Sequence, residues 1–165
     1  METAVGLADD GRSAVEALYR ADAPRLWGAI CAFTGDPDMA SDAVAESYAQ
    51  LLHRGAGVRD PAAWVWRTAF QIARGHLKAR STTRPLSQEP APSSQSRLDR
   101  YGDPDLVKAV QQLPDSQRAA VVLFYYADLP IRQIAERLGT NSLAVRVNLS
   151  RGRRRLRELL GEQHG

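Results

Sequence analysis

The stretch Ile131–Arg157 reads IRQIAERLGTNSLAVRVNLSRGRRRLR. Ile131–Leu138 spells a two-turn helix, and Gly139 stands at its C′ position, where a tight turn needs a positive φ. Ala135 is small where two helices would cross, and Asn141 is placed to N-cap the helix that follows. Val145, six residues beyond Gly139, packs that second helix back on the first. Val145, Leu149, Leu156 and Leu160 form its expected buried stripe. The pattern is that of a helix-turn-helix, which places the N-terminal part of its second helix in the DNA major groove. Ser142, Leu143, Ala144, Arg146, Val147 and Ser150 would then face outward, and Arg146 is the best base or phosphate reader among them. Arg151, Arg153, Arg154, Arg155 and Arg157 come later, better placed for backbone phosphate. The plain alternative is a helical hairpin with a basic, solvated face. The Ala-Gly-Val spacing together with the arginine run favours DNA binding.

Working back from this unit, Leu106, Val107, Val110 and Leu113 predict a short helix ended by Pro114. Asp115 is expected to cap the next helix, whose apolar residues include Val121, Val122, Leu123, Phe124 and Tyr125. Asp128-Leu129-Pro130 turns the chain into Ile131. Further back, Ser81–Asp103 is rich in Ser, Pro and Gln and reads as a flexible linker. It separates a segment of residues 1–80 from one of residues 104–165.

The first segment also reads as helical. Val15, Leu18, Tyr19, Leu26, Trp27, Ile30 and Phe33 recur at helical spacing, with Pro24 expected to break or kink the run unless a new helix starts there. Thr34–Asp38 is a stop and restart, and Met39, Ala43, Val44, Tyr48, Leu51 and Leu52 mark a second helix. A glycine-containing loop, His53–Arg59, leads to Asp60-Pro61, an N-cap followed by a proline at the first helical position. The third helix carries Trp64, Val65, Ala69, Ile72 and Leu77. Trp64 is expected in the core, and Trp66, two residues on, at the surface. No stretch alternates as a half-buried strand would. The expected fold is all-α: two small helical domains, each with its own core, joined by the linker.

The charges are unevenly placed. The net charge is only +3, from 22 Lys and Arg against 19 Asp and Glu. Five acids and one base lie between Ala21 and Gln50, yet seven bases and one acid lie between Arg54 and Arg84. Seven arginines and no acid lie between Arg137 and Arg157. Two basic stretches in one short chain suit a polyanion. The single cysteine, Cys31, excludes an intramolecular disulfide and any multi-cysteine zinc site. The three histidines, His53, His76 and His164, lie far apart, and no glycine-rich phosphate loop is present. The expectation is a binding protein without catalysis, metal or cofactor. No apolar run approaches the roughly 20 residues of a membrane span, and no signal-peptide pattern opens the chain. A cytoplasmic location is expected.

The stretch from Leu113 to Leu160, LPDSQRAAVVLFYYADLPIRQIAERLGTNSLAVRVNLSRGRRRLRELL, resembles the C-terminal promoter-binding domain of bacterial sigma factors of the extracytoplasmic-function group. That domain opens on Leu-Pro, continues with Ile-Ala-Glu-x-Leu-Gly, and ends on a helix of the form Thr-Val-Lys-Ser-Arg-Leu-Ser-Arg-Ala-Arg. Here that helix runs from Ala144 to Arg153, with Ala144, Val147 and Asn148 in place of Thr, Ser and Arg. The stretch LYRADAPRLWGAICAFTGDPDMASDAVAESYAQLL is similar to the first two helices of the family's other domain. Asp42, Val44 and Glu46 stand at its Asp, Val and Glu, Tyr48 at its Phe, and Ala45 at its Gln. PAAWVWRTAFQIARGHLKAR resembles the family's promoter-melting helix.

The resemblance implies a sigma factor that binds core RNA polymerase and directs promoter recognition and transcription initiation. It places core docking and the minus-ten element on residues 1–80 and the minus-35 element on residues 104–165. It implies polymerase docking by Asp42 and Glu46. Minus-ten contacts would fall to Arg59, Trp66, Arg67, Gln71, Arg74 and Lys78, with the loop from His53 to Asp60 as specificity loop. Ser142, Arg146, Ser150, Arg151, Arg154 and Arg155 would meet the minus-35 duplex. Core RNA polymerase and promoter DNA are the implied partners, and the family often has an anti-sigma factor. A second reading is a sigma-like DNA-binding regulator with weak or no initiation activity.

Overall fold

A computed structural model describes residues 2–83 and 103–164. The first half holds α1 (Glu2–Thr34), α2 (Pro37–Arg54), a 3₁₀ turn (Gly55–Gly57) and α3 (Pro61–Thr83). The second holds α4 (Pro104–Gln111), α5 (Asp115–Val121), α6 (Ile131–Leu138) and α7 (Ser142–His164). Between α5 and α6 the chain continues as a π-helical turn, Val122–Tyr126. The all-α expectation holds, with no strand among the described residues. Residues 84–102, most of the expected linker, lie outside the described residues; Ser81–Thr83, counted with it from composition, end α3.

Capping chemistry sets the boundaries. Asp36 accepts from the amides of Asp38 and Met39 at 3.0 and 3.2 Å and starts α2. Asp60 does the same for Ala63 at 3.1 Å and starts α3. Gly139 closes α6 in the left-handed region, φ 69° and ψ 36°, and the Asn141 carboxamide caps α7 through the Ala144 amide at 2.8 Å. Asp115 differs from expectation. Pro114 holds the N-cap position and Asp115 is the first residue of α5, so no side chain caps it; the Asp115 carboxylate pairs instead with Arg74 Nε, 2.8 Å away on α3. Pro24 does not break α1, which runs through it.

The first half is built on Leu26, Ile30 and Phe33 of α1, Val44, Tyr48 and Leu51 of α2, and Val65, Ala69 and Phe70 of α3, all buried. In α7 the buried stripe is Val145, Leu149, Gly152 and Leu159, so Leu159 takes the place expected of Leu160. At Gly152 a Cβ would stand 2.8 Å from a Val121 methyl, so a bare α-carbon lets α5 and α7 approach closely.

The two halves do not keep separate cores. Their buried residues form one continuous cluster, from Leu26 and Trp66 through Leu113 and Leu123 to Leu149. Three backbone carbonyls, two in the last turn of α1 and one just after the π turn, are held by side chains across the junction. Gln111 donates to Ala32 O at 2.6 Å, Arg118 to Phe33 O at 2.9 Å, and Arg25 to Ala127 O. The π turn sets Tyr126 against α1, where its hydroxyl occupies the space a Cβ at position 28 would need; Gly28 provides it. The sequence expectation failed here because contacts between two amphipathic surfaces leave no local pattern.

Cys31 sits in the α1 wall beside this junction. Burial, with Asp36 adding, pushes its thiol up to about 12. At pH 8 the buried thiol is therefore protonated, and the thiolate is the reactive form. Ellman's reagent at pH 8 is expected to label Cys31 at least about a hundredfold more slowly in the native chain than in urea. Equal labelling in both would show the thiol exposed.

Candidate nucleic-acid and polymerase interfaces

Three surfaces carry the residues singled out from sequence. The first is the outer face of α2. Asp42 and Glu46, one turn apart, are both exposed, with Ala45 between them and Ala49 beyond, also exposed. Glu46 accepts a 3.3 Å bond from Gln50, which fixes its carboxylate along the helix. Small residues between two acids allow a second helix to come close while its cations reach the carboxylates.

The second surface is α3. Arg67, Gln71, Arg74 and Lys78 recur at spacings of four, three and four and so share one face. Gln71 and Lys78 are exposed, and Arg59 is exposed in the preceding loop. Arg67 and Arg74 are tied to the second half: Arg67 donates to Glu136 O at 2.6 Å and lies against Gly139, and Arg74 pairs with Asp115.

The two tryptophans are exchanged relative to expectation. Trp66 is fully buried, its indole N–H donating to Asp22 and its ring stacked on Phe70. The Arg137 guanidinium of α6 covers it, 4.6 Å from the ring centroid. Trp64 is the half-exposed aromatic, with the Arg54 guanidinium 5.8 Å from its ring, beside the loop that precedes α3. The α3 helix packs on both α2 and α6, so its buried stripe is broad enough to take in position 66.

The third surface is the helix-turn-helix of α6 and α7. Ile134, Ala135, Val145 and Leu149 close its inner side. Arg146, Ser150, Arg151, Arg154 and Arg155 are exposed along α7, and Ser142 is half-exposed at its first position. Leu143 and Val147 are exposed apolar residues on the same stretch, 70% and 38% accessible. Arg155 pairs with Glu158 at 3.3 Å. Arg153 turns back, its guanidinium 5.3 Å from the Phe124 ring and its Nε bonded to the Tyr125 hydroxyl.

The residues at the junction were missed by sequence reasoning: Arg25, Gly28, Gln111, Arg118, Tyr126 and Arg137. Burial pulls both Arg118 and Arg137 below the ordinary arginine value, with Asp115 opposing for the first and Asp22 foremost for the second. No local signal marks these positions, because each contacts a partner far away in the chain.

The fold is that of an all-helical protein in which a helix-turn-helix is packed on a three-helix unit that carries an acidic face and a basic one. Residues 105–156 match the family described as sigma-70, region 4. The chain is 29% identical over 163 residues to RNA polymerase sigma factor CarQ of Myxococcus xanthus, covering 93% of each. It is 28% identical over 129 residues to RNA polymerase sigma factor SigV of Bacillus subtilis, covering 76% of this chain and 78% of that one. The fold matches CnrH, solved in complex with the cytosolic domain of CnrY, at a TM-score of 0.72 and 20% identity, over 96% and 95% of the two chains. Residues 105–156 thus carry the sigma-70 region 4 match, and the chain along most of its length is similar to sigma factors of the extracytoplasmic-function group.

Proposed function

We propose that the chain is a sigma factor of the extracytoplasmic-function group that binds core RNA polymerase through the α2 face and directs promoter recognition and transcription initiation through α3 and α7. The single observation that carries the reading is the presence of both surfaces on one chain: an exposed acidic pair on α2 and an exposed arginine-bearing recognition helix on α7. Residues 1–80 are assigned to core docking and the minus-ten element, and residues 104–165 to the minus-35 element.

Asp42 and Glu46 offer two carboxylates to a basic partner helix. Arg59, Gln71 and Lys78 hold the displaced backbone, joined by Arg67 and Arg74 once these leave the second half. Trp64 replaces Trp66 as the aromatic open to an unstacked base; such stacking is worth about 1–3 kcal/mol. Ser142, Arg146 and Ser150 face the upstream duplex, with Arg151, Arg154 and Arg155 toward its phosphates. The chain supplies binding and strand separation, and bond formation belongs to the polymerase. The place of action is the cytoplasm, where the polymerase and chromosome are; no helix among the described residues is long and apolar enough to cross a membrane. An anti-sigma factor is a further expected partner.

Run-off transcription with purified core polymerase on promoters from the organism of origin tests the reading. Promoter-dependent transcripts that need the chain are expected. Promoter-DNA binding without transcripts would instead support a sigma-like regulator.

A further inference from the structure

The first two turns of α7 carry an outward face that the base-reading assignment uses only in part. Leu143, Arg146, Val147 and Ser150 recur at spacings of three, one and three and so share that face, all exposed. Leu143 is the most exposed large apolar side chain among the described residues, and Val147 stands one turn further on. The other side of the helix, Val145 and Leu149, fills the core, and neither Leu143 nor Val147 packs against it. From Arg151 to Arg157 the character of the helix changes: its exposed positions are Arg151, Arg153, Arg154, Arg155 and Arg157, all cations.

A single exposed aliphatic needs no partner. Two of them, one turn apart, on the part of a helix that enters the major groove, face a groove floor of known chemistry. Every base there offers hydrogen-bond donors or acceptors, and one base offers an apolar group, the thymine C5 methyl. Leucine or valine set against the polar edges of other bases strips them of water and gives no hydrogen bond in return. Against a thymine methyl the same side chains bury apolar surface on both partners.

We propose that Leu143 and Val147 are specificity-determining residues that read thymine methyls in the upstream promoter element, one on each side of Arg146. This rests on the promoter-binding reading above and adds a base composition to it: the duplex under α7 has thymine at two places. Four residues of helix rise about 6 Å and one base pair about 3.4 Å, so the two methyls lie about two base pairs apart. The arginines beyond Ser150 then hold phosphate, and the change from aliphatic to cationic positions along α7 follows its course from groove floor to backbone.

The test uses holoenzyme, the full chain on core polymerase, and a promoter fragment that yields a run-off transcript and shows a protected upstream element. Three forms of the fragment are compared by titration. One is the parent fragment. In the second, every thymine of the upstream element is replaced by deoxyuridine, which keeps the base's hydrogen-bonding groups and removes only the methyl. In the third, the same number of replacements falls in the spacer between that element and the minus-ten element. One buried methyl is worth about fourfold in affinity and two about fifteenfold. Holoenzyme with the parent chain is expected to lose about fifteenfold on the second fragment and nothing on the third. Leu143→Ser or Val147→Ser should reduce that loss to about fourfold. With both substitutions the first two fragments should bind alike. Both side chains lie outside the core, so helix content and melting temperature should match the parent.

Equal binding of the first two fragments by the parent would overturn the proposal. So would a doubly substituted chain that still loses about fifteenfold, since the methyls would then act through the DNA and not through these side chains. An upstream element without two thymines would do the same. Failure of the promoter-binding reading looks different: no fragment yields a transcript or a protected element with parent or variants, and the proposal falls with it.

Discussion

Asp42→Arg in the full chain is expected to lower affinity for core RNA polymerase by about fiftyfold, and Glu46→Lys by about tenfold. Reversing a charge at a complementary contact replaces attraction by repulsion, and like charges juxtaposed across an interface cost several kcal/mol. Tenfold corresponds to about 1.4 kcal/mol. Glu46 is partly engaged by Gln50 and should cost less. Both side chains are exposed and neither supports the core, so helix content and melting temperature should stay within error of the parent. Binding is read by titrating labelled chain with core enzyme at two salt concentrations. Unchanged affinity with native helicity would remove the α2 face from the docking assignment.

The second large effect is expected at the recognition helix. Arg146 stands in the first two turns of α7, exposed, where a side chain reaches base edges. A bidentate arginine–guanine pair is worth about 1–3 kcal/mol of discrimination. Arg146→Ala should therefore weaken the cognate upstream element more than a scrambled duplex. Arg154→Ala, two turns later, should weaken both alike and lower the salt slope by about one. Equal losses on both duplexes would make Arg146 a phosphate contact. No loss from either would remove α7 from the DNA interface. Arg153→Ala should leave the slope unchanged, because its guanidinium is engaged by Phe124 and Tyr125.

That arginine shows where sequence reading succeeds and where it stops. The helix ends were legible because each is specified within a few residues: Asp36, Asp60, Gly139 and Asn141 all act where their side chain or backbone freedom predicts. The exposed positions of α2 and α7 were legible for a related reason, since one helix face suffices to place them. Trp66 was not. A helix with one packed side would leave position 66 on the edge of its stripe, but α3 is packed on two sides, and the second comes from residues about 70 positions later. Long-range competition of this kind is invisible to any short window. Asp115 differs for another reason: α5 starts one residue earlier than expected, which puts Pro114 at the N-cap and leaves the Asp115 carboxylate to pair with a cation 41 residues earlier.

The π turn at Val122–Tyr126 sets the angular phase of everything after it. Its wider ring, closed by Ala127 N on Val122 O at 3.2 Å, spends one more residue on the turn than an α-helix would. One residue is about 100° of rotation. Without that extra residue Tyr126 would point away from Gly28, and α6 would leave α5 in another direction. The clockwork between the two halves therefore depends on a single residue of helical pitch. A one-residue insertion or deletion in this turn changes the mutual orientation of the halves while leaving each half's own helices whole.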